Sequence, residues 1–258
     1  RSPEDLLALV PVVMGFWPEE SIVLLTFGAA RTFHARTDLP PVERQTPEVL
    51  DDLDELLLGP ARHHGVRAVV LLYYAGQDGA VAAAHDVLRR GCERDGIEVL
   101  ACLASDGERY RDLDRPTAAP TPYDVSAHPF VVEAIVSGRL RHRSREDLVT
   151  SLDPDPAAVA RVEQAVLAAG FADAGVAVDG RSIRRQGGWV ESLVAAAVAT
   201  SRTPEDHEVA RLAWQMQSVR VRDAAWSLID RRNAQAHADW WTQVLRRVPP
   251  QLRAAPAG

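Results

Sequence analysis

His34, Arg36 and Asp38 alternate along the stretch "RTFHARTD", a spacing that puts all three on one face of a β-strand, roughly 6 to 7 Å apart. A general base, an anion clamp and an orienting carboxylate can be built on such a face, so these three are the candidate catalytic residues. The competing reading is the solvated face of an antiparallel strand, or a structural Arg–Asp pair. A second set of residues is basic. "RLRHRSR" places Arg139, Arg141, Arg143 and Arg145 around His142, just before a helix that Ser144 is expected to cap. Guanidinium groups beside a helix N-terminus suit a phosphate or carboxylate. "GRSIRR" adds Arg181, Arg184 and Arg185. Arg139, Arg141, Arg143, Arg145, Arg184 and Arg185 are therefore the candidate anion-binding residues, against the plainer alternative of a solvated linker.

Other signals are weaker. Asp112-Leu113-Asp114 and Asp153-Pro154-Asp155 match a D-x-D pattern too short to distinguish metal–nucleotide binding from chance. Asp51, Asp52, Asp54 and Glu55 read as an acidic, solvated helix face. His63 and His64 are adjacent and lack a second ligand pair at zinc spacing, so no metal site and no cofactor is expected. Cys92 and Cys102 read as buried, reduced hydrophobes. Trp214, Trp226, Trp240 and Trp241 sit at helical spacing among Leu, Met and Ile, as packing residues do. Trp240 and Trp241 are also the candidate interface. The chain ends within about ten residues of "WWTQVLRRV", so an apolar patch is expected there, covered by self-association or by a protein partner.

Composition excludes several functions. All 29 basic residues are arginine, which removes the lysine of a Walker-type phosphate loop, Schiff-base lysines and lysine general bases. Net charge is −7. Residues 1–127 carry 12 Arg against 21 Asp plus Glu, or −9, and the remainder carry 17 against 15, or +2. Binding of nucleic acid by the whole chain is not expected, because phosphate neutralisation needs a basic face. The longest apolar runs, such as "ALVPVVMGFW" and "AVVLLYY", fall short of the roughly 18 to 20 residues of a membrane span. With no secretory signal in view, a cytoplasmic protein is expected.

The elements that must position these residues are marked by a capping side chain before proline at Ser2-Pro3, Thr46-Pro47, Asp155-Pro156 and Thr203-Pro204. Asp5 and Asp206 stand three residues after a cap, as a capping box requires. A helix over Pro3–Met14 should stop at Gly15. "SIVLLTFG" reads as a central strand joined by a hairpin to "RTFHARTD". An acidic helix, the strand "RAVVLLYY", a second helix and the strand "IEVLACLA" follow, and this alternation implies parallel neighbours. Asp106-Gly107 marks a tight turn into an edge strand. The predicted fold is α/β: a mixed, mostly parallel sheet with covering helices over 1–115, a Pro-rich linker over 116–127, and an all-α domain over 128–258. The last includes one long helix through "PEDHEVARLAWQMQSVRVRDAAWSLIDRR".

The stretches "SPEDLLALVPVVMGFWPEESIVLL", "ARTDLP", "VVEAIVSGR" with "SREDLVTSL", "VRDAAWSLIDR" and "HADWWTQVLRRVPPQLRAAP" resemble an actinobacterial family known as domain-of-unknown-function family 4192. The resemblance covers nearly the whole chain in order and implies no established activity. It also implies a C-x-x-P-x-C-C-P stretch in other members, where this chain has Leu113, Pro116, Ala118, Ala119 and Pro120. Neither Leu nor Ala can ligate a metal or cycle a thiol. The expected function is a non-catalytic cytoplasmic module that binds a protein partner or a small anionic ligand. The alternative is a hydrolase or nucleotide-acting enzyme with its site where the sheet meets the helical domain. Glu19, Glu20 and Ser21, in the turn before the first strand, are the only residues of the opening segment suited to chemistry.

Overall fold

The computed structural model describes residues 2–29, 33–76, 79–171, 179–230 and 232–257, and the chain divides into two compact units, 1–147 and 148–258. Arg31 and Thr32, read as the start of a strand, lie outside the described residues.

Helix α1 (Pro3–Met14) opens the first unit. The Ser2 hydroxyl accepts the Asp5 N–H and the Asp5 carboxylate accepts the Ser2 N–H, which satisfies two donors that a helix start leaves orphaned. The helix ends at Gly15 with φ +78°, a left-handed cap that glycine takes without Cβ strain. Six strands follow among the described residues: β1 (Ser21–Phe27), β2 (His34–Asp38), β3 (Ala68–Tyr74), β4 (Glu98–Ser105), β5 (Arg109–Asp112) and β6 (Thr121–Pro122). Their order in the sheet is β2-β1-β3-β4-β5-β6.

The sheet corrects the expectation of mostly parallel pairing. Among the described strands of this sheet only β3–β4 is a parallel pair, and the other four pairings are antiparallel. The β1–β2 hairpin is the cause: α2 (Pro47–His63) carries the chain from β2 to β3, and β1 lies between those two strands, antiparallel to both.

Successive side chains of β1, β3 and β4 face opposite ways. On one face Leu24, Leu71 and Cys102 pack beneath α2 and α3 (Gly79–Asp95); on the other Val23, Leu72 and Leu103 pack with α1 and α4 (Pro129–Val136). The segment expected as a linker contributes β6 to the sheet edge and Val125 to the second of these cores. With Val131 and Ala134 buried there too, α4 packs in the first unit, which runs to residue 147. Helix α5 (Arg145–Ser151) spans the division.

The second unit holds α6 (Pro156–Ala168), α7 (Gly180–Ala199), α8 (Asp206–Gln215), α9 (Val219–Trp226), α10 (Ala234–Leu245) and the terminal turn α11 (Ala254–Ala257). The expected long helix is two, α8 and α9, broken at 216–218, and α8 starts later than the Thr203 cap implied. Glu205 is its cap, with the Glu208 carboxylate accepting the Glu205 N–H at 2.8 Å. No helix among the described residues is long and apolar enough to cross a membrane.

Ion pairs tie neighbouring helices together within each unit. Asp54 on α2 meets Arg94 on α3 at 2.8 Å, and Asp95 meets Arg62 at 2.7 Å. Asp54 is buried, so the expected solvated acidic face is corrected at that position: its carboxylate turns toward α3. In the second unit Asp206 meets Arg247 at 2.6 Å. The Arg94 guanidinium holds Asp95, and the Arg247 guanidinium holds Asp206, below the usual carboxylate range. Both groups therefore ionise more readily folded than unfolded, and the unfolded chain takes up more protons as pH falls. Stability is expected to be full at neutral pH and to decline below about pH 4, the ordinary carboxylate value. Urea midpoints at pH 7 and pH 3 check this, and equal midpoints would contradict it.

Candidate functional site

Tyr74 ends β3 and Ser105 ends β4, and because the two strands are parallel both ends open on the same side. Strand β1 runs the other way, so its first residue, Ser21, pairs with Tyr74 and brings Glu19 and Glu20 to that side. The β4–β5 turn and the segment after β6 return there. Together these four segments wall a crevice of about 600 Å³. Open α/β sheets commonly bind ligands outside the carboxyl ends of their strands.

Hydrogen bonds fix the walls. Glu20 takes a left-handed backbone at φ +39°, uncommon for a residue with a Cβ, and its Oε1 accepts the Gly76 N–H at 2.9 Å. The hydroxyls of Ser105 and Tyr123 lie 2.7 Å apart, and Ser105 Oγ accepts the Gly107 N–H at 3.0 Å. Asp106 accepts the N–H groups of Arg109 at 2.7 Å and Glu108 at 2.8 Å, and these donors hold its carboxyl below the usual range. The Ser126 N–H at 2.8 Å does the same for Asp124. Burial pushes the Tyr123 phenol up, so it keeps its proton at neutral pH.

Tyr74 is the exception to this satisfaction. It is 7% exposed, and its buried hydroxyl has no hydrogen-bond partner among the described residues. Burial raises its ionisation well above the ordinary phenol value, with nearby Tyr123 adding to the effect. A buried polar group without a partner costs about 1–3 kcal/mol, and here the residue lines the crevice.

The residues singled out in the sequence are placed elsewhere or committed to other bonds. His34 Nδ1 accepts the Thr26 N–H at 3.3 Å, and burial lowers its pKa. Arg36 donates to Ser21 Oγ at 2.6 and 3.0 Å and meets Asp38 at 2.5 Å, bracing the turn that carries Glu19. The three share a strand face without converging on a cavity. Arg139 pairs with Glu133 at 2.9 Å, and the Arg141 guanidinium lies against Gly138. The Arg143 N–H donates to Asp147 Oδ2, whose own N–H donates to Ser144 Oγ, so Ser144 caps the helix that Arg145 begins. Arg184 and Arg185 lie on α7 in the other unit. His63 stacks edge-on to His64, and His64 on Phe33; among the described residues no group of three or more His, Cys, Asp or Glu is placed to hold a metal. Cys92 and Cys102 are free and buried, and burial pushes their thiols up to about 11 and about 12.

Trp240 and Trp241 correct the expectation of an exposed C-terminal patch. They are 2% and 8% exposed and pack in the core of the second unit with Val244 and Val248. The turn after α10 folds back, which puts Leu252 in the same core.

The sequence reading named Glu19 and Glu20 but missed Tyr74, Ser105, Asp106, Glu108, Tyr123 and Asp124. Their only sequence signal is position, at or just beyond the ends of apolar strands.

The first unit is thus a helix-covered mixed α/β sheet with a hydroxyl- and carboxylate-lined crevice at the ends of its parallel pair. The chain belongs to the family described as Domain of unknown function (DUF4192), whose model matches residues 3–258. Comparison with curated proteins and with solved structures returns no match.

Proposed function

We propose that this chain is a non-catalytic module whose first unit binds a small ligand in the crevice at the ends of β3 and β4. The observation that carries the reading is the buried Tyr74 hydroxyl without a partner, a group that a bound ligand would satisfy. Binding is favoured over hydrolysis by the Ser105–Tyr123 pair. Its hydroxyls bond to each other, and the phenol, raised by burial, is no general base for the serine. Ser126 is exposed at the crevice wall, so Ser126→Trp should obstruct the space while leaving the backbone bonds intact. Small molecules that raise the melting temperature of the wild-type chain are expected to lose that effect in Ser126→Trp. Hits that keep it would place binding elsewhere.

The anionic-ligand reading has support in the second unit. The Arg211 guanidinium lies 3.9 Å from the centre of the Trp189 ring. Burial and then the charge of Arg185 lower its pKa. Neither arginine has a carboxylate partner among the described residues. A bound sulfate would offset that repulsion, so sulfate should raise the melting temperature of the wild type and not of Arg211→Gln. An equal rise in both would end this reading.

A further inference from the structure

We infer that the crevice at the ends of β3 and β4 takes an organic cation, an ammonium or guanidinium group on a short apolar stem. The inference rests on the reading of that crevice as the ligand site. Five carboxylates line it, from Glu19, Glu20, Asp106, Glu108 and Asp124, and its described lining residues include neither Arg nor His; the chain has no Lys. Arg36 and Arg109, beside two of the wall segments in sequence or pairing, stand outside the lining. Arg36 is engaged with Ser21 and Asp38, and Arg109 follows the turn that Asp106 closes. Asp106 and Asp124 are held ionised by backbone N–H donors, so an entering anion meets negative charge on several sides and a cation is drawn in.

Charge alone would describe any acidic rim. The independent observation is Tyr74, more than nine-tenths buried, whose hydroxyl has free lone pairs beside Tyr123 and nothing donating to them. An N–H of the ligand supplies that donor. Trp17, Tyr74 and Tyr123 are aromatic residues of the lining, and aromatic rings attract ammonium and guanidinium groups. A metal ion fits less well, because no three of the carboxylates are placed to coordinate one. A cation that hydrogen-bonds to single carboxylates and packs its stem on rings uses what the crevice offers.

The test is calorimetric titration of the whole chain with four ligands of one shape: butylammonium, butylguanidinium, neutral butanol and anionic butyrate. The two cations are expected to bind and the other two are not. Glu19 and Glu108 are exposed and make no side-chain hydrogen bond or ion pair among the described residues, so Glu19→Gln with Glu108→Gln should preserve the fold and weaken cation binding at least about 10-fold, equivalent to about 1.4 kcal/mol. Tyr74→Phe, which removes no existing hydrogen bond, should weaken it as well. Butanol or butyrate binding as tightly as the cations, or cation binding unchanged in the double variant, would overturn the inference. The crevice reading would then survive if the binding seen is lost in Ser126→Trp. Binding of none of the four at roughly 10 mM, an affinity far weaker than the best ligands of this size reach, would overturn the inference, and the crevice reading would then rest on the Ser126→Trp comparison.

Discussion

Replacing Trp240 by Ala is expected to cost the second unit about 3–5 kcal/mol, the range for truncating a large aromatic in a core. The side chain is 2% exposed, and its indole N–H donates to the Arg202 carbonyl at 3.1 Å. Its ring meets Trp241 edge-on with centroids 4.9 Å apart, a geometry worth about 0.5–1.5 kcal/mol beyond area. Trp240→Ala therefore removes packing, a ring pair and a donor together. Trp240→Phe keeps most of the packing and should cost much less. Urea unfolding followed by circular dichroism separates the two variants. A loss under about 1 kcal/mol for Trp240→Ala would mean that the ring is not part of a core. The same burial bears on self-association through this helix: Trp241→Glu would put a charge into that core and is expected to unfold the unit at any protein concentration, whereas loss of an interface would leave a folded monomer.

What the sequence revealed follows from how local the cause was. Helix α1 was legible to the residue, because a reciprocal Ser2–Asp5 cap, Pro3 in the first turn and Gly15 at the end are all local devices. The β1–β2 hairpin and the Asp106-Gly107 turn were legible for the same reason. Strand order was not. Alternating strands and helices imply parallel pairing only when successive strands lie side by side, and β1 intervenes between β2 and β3. The break between α8 and α9 carries no Gly or Pro. It is held by Gln217, whose side chain bonds the carbonyls of Ala213 and Leu252, a contact across 35 positions that no local pattern announces.

The candidate site failed to show in the sequence for the same physical reason. Its wall comes from four short segments, around residues 17–20, 74–76, 105–108 and 123–126, none of which contains a motif. Sequence patterns point to chemistry where polar residues cluster along the chain, as at His34, Arg36 and Asp38. The fold instead assembles it from strand ends that the sheet brings together. Tyr74 in particular reads as the last residue of an apolar strand, and the missing partner of its hydroxyl contrasts with Tyr110, whose hydroxyl donates to Glu4 at 3.1 Å.

Two glycine-to-alanine changes, both inside helices, are expected to act with opposite sign. Glycine in a helix interior is about 0.8–1 kcal/mol worse than alanine, so propensity alone favours the substitution at either place. At Gly188 on α7 an added methyl meets nothing within 4 Å, and Gly188→Ala should stabilise by about 0.5–1 kcal/mol. Gly91 on α3 is buried where α2 crosses, and a methyl there would overlap Asp54 Oδ1 and Leu58 Cδ1. Asp54 cannot swing away freely, because its other oxygen is held by Arg94 at 2.8 Å and its side chain is 11% exposed. Either the ion pair breaks inside the contact or the helices separate. Overpacking of this kind costs about 1–3 kcal/mol or more, and loosening a buried charge from its partner adds to it. Gly91→Ala is therefore expected to lose about 3 kcal/mol net of the propensity gain. The cause is separable by a double-mutant cycle: in an Asp54→Ala background the methyl loses its main obstacle, and the cost of Gly91→Ala should fall by at least about 1 kcal/mol. An unchanged cost would assign the effect to Leu58 and the helix spacing, and a stabilised Gly91→Ala single variant would show that α2 and α3 do not approach as closely as the Asp54–Arg94 pair requires.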